Sequence, residues 1–120
     1  MREKSVAPLF VFERGMAAEI ESGAEVELIA RGTKGSKSID GWYIMLKTTS
    51  GRSMLVMNSN EATIKFLKTI AGVFKLLDRL PAREVRVPLQ GQVENEAELL
   101  ALHVSRNMPL HNGAEAVSAS

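Results

Sequence analysis

The chain contains no cysteine. That excludes a disulfide scaffold, a thiol nucleophile and thiolate metal ligation. Aromatics are scarce as well, with one Trp, one Tyr and four Phe in 120 residues, so aliphatic side chains must supply most of a core. No apolar run is long enough to span a membrane. The longest, around 64–80, is broken by Lys65, Lys68, Gly72, Lys75 and Asp78. Met-Arg-Glu-Lys-Ser at the N-terminus has charge but no apolar stretch of signal-peptide length behind it. The expectation is a soluble, cytoplasmic protein.

Catalytic sets are missing too. His103 and His111 stand eight apart, with no carboxylate spaced to orient either. Glu94, Glu96 and Glu98 alternate on an expected helix, so they diverge and make a poor metal site. The pairs Glu19/Glu21 and Glu25/Glu27 read most simply as solvated. A non-enzyme without cofactor or metal is expected.

What the chain does have is charge sorted by position. From Arg31 to Leu89 there are eleven basic and four acidic residues, a balance of +7. The first thirty residues and the last thirty-one each carry −3, so the overall +1 hides a basic middle between acidic ends. Local charge steers association, and a basic middle of this size points to a polyanion such as DNA or RNA.

The length fits one domain with its own core, expected over 1–108 with a mobile tail over 109–120. The pattern predicts an α+β fold with a small, mainly antiparallel sheet. Its strands fall at about 6–12, 25–31, 42–48 and 53–57, with a further short one at 83–89. The first reads as an edge strand or docking arm because Pro8 cannot donate to a ladder. Residues 13–22 are ambiguous between short helix and irregular chain. Gly51 suits the hairpin turn after the 42–48 strand. Asn58 with Glu61 three later fits a capping box, predicting a central helix over 60–80 ended by Pro81. A C-terminal helix is expected over 92–106, with Val93, Ala97, Leu100 and Val104 on its core face.

As a wheel, the 60–80 segment places Lys65, Lys68, Lys75 and Arg79 within an arc of roughly 80°. The rest is apolar over about twice the width that one sheet covers. A second copy is the economical partner, with Phe66, Ile70, Phe74 and Leu77 as the oligomer interface. The basic stripe is either a nucleic-acid contact or the solvated side of a buried helix. Lys34 and Lys37, beside Arg31, sit on a long, flexible connection over 32–41, rich in Gly and Ser, whose amides could approach phosphate. This loop lacks the spacing of a nucleotide phosphate-binding loop. Trp42 and Tyr43 must point to opposite sheet faces. One ring could stack on a base beside Lys47 and Arg52, or both could anchor the core.

The run Trp42-Tyr-Ile-Met-Leu-Lys47, the Ser50-Gly51 turn, the strand Met54–Met57 and the helix after Asn60 together resemble single-stranded-DNA-binding domains of the positive-cofactor-four and Whirly type. The likeness covers at most residues 6–80 and is architectural. It implies a curved antiparallel sheet, dimers formed through helix packing, and nucleic-acid contacts at Trp42, Tyr43, Lys47, Arg52, Lys34 and Lys37. The segment after the helix and Pro8 in the first strand depart from that pattern. The composition also fits a small bacterial regulator carried by a plasmid or phage. The expected function is therefore non-catalytic nucleic-acid binding by a homo-oligomer. The alternatives are an assembly module with no nucleic-acid ligand, or an enzyme subunit completed elsewhere.

Overall fold

The structure, a computed structural model, describes residues 9–108. The proposed tail and the first residues of the expected N-terminal strand lie outside that range. Among the described residues the fold is α+β: a mixed, mostly antiparallel sheet of six strands, with three α-helices. In chain order these are β1 (Phe10–Phe12), α1 (Met16–Glu21), β2 (Glu25–Gly32), β3 (Ile39–Lys47), β4 (Ser53–Met57), β5 (Phe66–Leu67), α2 (Ile70–Leu77), β6 (Val85–Arg86) and α3 (Glu96–Arg106).

The long antiparallel pair β2–β3 is the spine, running in register from Glu25↔Lys47 to Arg31↔Gly41. The strand order is β1-β4-β3-β2-β6, with β1 parallel to β4 and β6 parallel to β2. The hairpin from β3 to β4 turns where the sequence places it. Gly51 takes φ +88°, and its N–H donates to the Thr48 carbonyl at 2.9 Å. A side chain there would be strained, because the left-handed region suits glycine.

Alternation sends the strand residues into two cores. One face packs Val26, Leu28, Ile44, Leu46 and Val56 against Met16 of α1 and Val73 and Leu76 of α2. The other packs Ile29, Tyr43, Met45 and Leu55 against Leu99 of α3 and against Val93, which precedes that helix. The sheet is thus sandwiched between helices on both sides.

Three expectations need correction. First, the central helix does not begin at 60. Asn58 caps nothing: its N–H donates to the Thr63 carbonyl and its amide to the Thr63 hydroxyl, both at 2.8 Å. The chain turns back along β4, and β5 then pairs with β3 through Tyr43↔Phe66 and Trp42↔Leu67. β5 therefore continues along β3 beyond the stretch that β4 occupies. The helix starts at Ile70, capped by the Thr69 hydroxyl, which accepts from the Gly72 N–H at 2.9 Å. Sheet pairing of Phe66 and Leu67 outweighs their helical spacing.

Second, α3 starts at Glu96, capped by Asn95, whose side chain accepts from the Glu98 N–H at 2.9 Å. Val93 of the expected face is buried, ahead of the helix, but within α3 itself that face turns outward. Leu99 and His103 are buried, while Ala97, Leu100 and Val104 face out.

Third, the 33–38 loop is held rather than loose. Gly35 N–H donates to the Gly91 carbonyl at 3.1 Å, and Gly91 N–H donates to the Ser36 carbonyl at 2.9 Å. A Cβ on Gly91 would collide with the carbonyl oxygens of Thr33 and of Gly32, the latter at 2.8 Å. Gly91→Ala is therefore expected to cost about 1–3 kcal/mol, as overpacking does. Urea denaturation would show it as a lowered midpoint, and an unchanged midpoint would mean the loop yields freely.

Candidate nucleic-acid interface

The basic residues do not share one face. Lys65 and Lys68 precede α2, so the four-cation helical stripe is broken up. Lys65 and Arg79 both approach Glu13, at 3.0 and 3.7 Å. With Arg14 and Ser59 they line an open cleft of about 700 Å³. Glu13 neutralises part of that site, and its role is invisible in the sequence because Glu13 is some fifty residues from Lys65.

The loop cations differ from one another. Lys37 is exposed, whereas Lys34 reaches the Glu98 carboxylate at 3.3 Å and its N–H donates to Glu94 at 3.2 Å. Glu98 also accepts from the Glu94 amide at 2.9 Å. That backbone hydrogen bond, aided by the Lys34 ammonium, holds the Glu98 carboxyl below its ordinary pKa. The acidic start of α3 thus meets the basic loop within one chain.

Arg31 and the aromatics make contacts within their own chain. Arg31 Nη1 donates to the Tyr43 hydroxyl at 3.0 Å, and its guanidinium stacks 4.8 Å from the Phe66 ring centroid. Tyr43 has no exposed surface, and its ring lies 4.9 Å from Phe66. It offers nothing to a base in this conformation. Trp42 is half-buried with its indole N–H donating to the Pro88 carbonyl at 3.2 Å. With helices over both sheet faces, neither ring stands on an open platform.

The interface set divides as well. Ile70 and Phe74 are exposed side by side on α2. Leu77 packs into the core beneath α2, and Phe66 lies on the opposite sheet face against Tyr43. These two are covered by their own chain, because neither lies on the outer face of α2.

One end of the sheet does gather cations from separate segments. Lys47 of β3, Arg86 of β6 and Arg106 of α3 line a cleft of about 380 Å³ with Glu25 and Glu27. Arg52 lies between Gly51 and Ser53, which line the same cleft. Arg83 and Arg86 continue this surface into a neighbouring hollow. Arg106 is committed to Glu27 at 2.6 Å, and Lys47 stands opposite Glu25 in the β2–β3 register. Lys47, Arg52, Arg83 and Arg86 are all exposed. Lys68 and Lys75 are exposed elsewhere, around α2. The basic bias of residues 83–86 is visible in the sequence, but its meeting with Lys47 and Arg52 depends on the parallel pairing of β6 with β2.

Among the described residues no three acidic or histidine side chains cluster closely enough to hold a metal ion. No described helix is long and apolar enough to cross a membrane. No protein-family model, curated protein or solved structure matches this chain.

Proposed function

We propose that this protein binds nucleic acid without catalysis, as a homo-oligomer, through the basic end of its sheet. The supporting observation is the gathering of the exposed cations Lys47, Arg52, Arg83 and Arg86 from β3, the hairpin turn and the β6 segment. Cations fixed on several elements can contact successive phosphates and release their counterions, which gives affinity without base readout. The covered sheet faces move the contact from the open sheet implied by the positive-cofactor-four resemblance to the sheet end. Lys34 contributes less than its position in the sequence suggests, since Glu98 already pairs with it.

Fluorescence anisotropy with single- and double-stranded oligonucleotides at several salt concentrations tests this. The expected result is affinity that falls linearly on a log–log plot. The Lys47→Ala/Arg86→Ala pair should shallow the slope by about 0.7–0.9 for each phosphate no longer neutralised. Lys34→Ala should change it less. Salt-independent binding, or none, would end the nucleic-acid reading and leave the assembly reading, which the exposed apolar helix faces favour.

A further inference from the structure

α3 is apolar on two sides, and its own chain uses only one. At 100° per residue, Ala97, Leu100, Ala101 and Val104 fall within an arc of roughly 100°, away from the buried Leu99 and His103, and Met108 follows just beyond the helix end. Val104 is 63% exposed and Met108 55%. An amphipathic helix on a monomer's surface needs one apolar stripe, so a second stripe asks for a second partner. Glu94, Glu96 and Glu98 gather at its start; the ammonium of Lys34 reaches Glu98 alone, which leaves the exposed carboxylates of Glu94 and Glu96 in excess, and the basic Arg106 is turned inward onto Glu27.

α2, on the other side of the sheet, presents the opposite character. Ile70 and Phe74 project outward, Phe74 at 57% exposure, flanked by the exposed Lys68 and Lys75. Asp78 is the acid at the far end of that face. An α2–α2 pair would set lysines near lysines, and an α3–α3 pair would add nothing basic to Glu94 and Glu96. An α2–α3 contact brings apolar to apolar and basic to acidic.

We infer that α2 of one copy docks on α3 of the next, so that copies join head to tail. Because the two surfaces lie on opposite sides of the sheet, every open assembly keeps one of each unfilled, on its two end copies, until a ring closes. The contact is heterologous, unlike the two-fold dimer that a single self-complementary helix would give. The inference concerns self-association alone and does not depend on nucleic acid.

The test breaks each surface separately and then mixes the products. Phe74→Asp spoils only the α2 face and Val104→Asp only the α3 face; Phe74→Gln and Val104→Gln repeat the test without added charge. Light scattering should give wild type an average mass at least about twice the 13.1 kDa monomer and rising with concentration. Each variant alone should drop to the monomer mass. An equimolar mixture should recover a 1:1 complex that grows no further, since one intact α2 face meets one intact α3 face. Three results would overturn the inference: a monomeric wild type, one variant remaining oligomeric while the other does not, or a mixture that stays monomeric.

Discussion

Tyr43→Ala should lower the free energy of unfolding by about 3–5 kcal/mol, the range for removing a buried aromatic side chain. Domains of this size are stable by only about 5–15 kcal/mol, so such a variant would be partly unfolded in mild denaturant. The ring is completely enclosed, packed against Phe66 and backed by Ile29, Met45 and Leu55. Its hydroxyl also accepts from Arg31, whose Nε is buried with no partner among the described residues. Removing the phenol would leave a second guanidinium donor unsatisfied. Tyr43→Phe separates the two effects: it keeps the ring, removes the hydrogen bond and should cost about 1–3 kcal/mol. Chemical denaturation of both variants checks this. A loss below about 1 kcal/mol for Tyr43→Ala would mean that the site collapses around the cavity far better than close packing allows. It would also revive the reading in which this ring stacks on a base.

The reason Tyr43 sits in the core rather than on an open face is written in its own strand. Tyr43-Ile44-Met45-Leu46 is a continuous apolar run, and all four side chains are fully buried. A strand with one wet face alternates, while a strand covered on both faces does not. Of the two readings of Trp42 and Tyr43, the one with an exposed ring follows the alternation rule, whereas the run already favours the one in which the rings anchor the core. By contrast, β2 is legible nearly to its ends, because Glu25, Val26, Glu27 and Leu28 alternate between wetter and drier positions. The β3–β4 hairpin is equally plain, since Gly51 needs positive φ and the turn needs little else.

The central helix is less readable because two local signals compete. Asn58 and Glu61 have capping-box spacing, which extends the expected helix back over Thr63, Ile64, Phe66 and Leu67. The same residues also suit a strand: the free edge of β3 beyond β4 gives Phe66 and Leu67 backbone partners, while Thr63 and Ile64 pair back with Asn58 and Met57. Thr69, with Gly72 three residues on, is the cap actually used. Sequence spacing cannot say which of two caps wins when a sheet edge competes. The partners of the basic residues are hidden for a related reason. Glu13 with Lys65, and Glu27 with Arg106, meet only after the sheet and α3 have assembled.

Two neighbouring leucines in α3 should respond in opposite ways. Leu99 has no exposed surface and packs among Ile29, Tyr43, Met45, Leu55 and Val93, whereas Leu100 is 40% exposed on the outer stripe. Leu99→Ala is expected to cost about 2–5 kcal/mol, combining reduced burial with an unfilled cavity between α3 and the sheet. Leu100→Ala should change the stability of dilute protein by less than about 0.5 kcal/mol, as surface substitutions do. The periodicity of Ala97, Leu100 and Val104 predicts the reverse, because it takes those three as the core face. What decides is His103, one turn after Leu99, whose Nε2 lies 3.1 Å from the Ser53 carbonyl. Asn107, a further turn on, bonds the Ser53 backbone twice, accepting from its N–H and donating to its carbonyl, each at 2.9 Å. These polar anchors to β4 lie on the Leu99 side and fix the rotation of the helix about its axis. Thermal or urea denaturation of the two alanine variants at low micromolar concentration measures the contrast directly. If Leu100→Ala proved the costlier change, α3 would have to be turned by about 100°, and the outer apolar stripe would vanish with it.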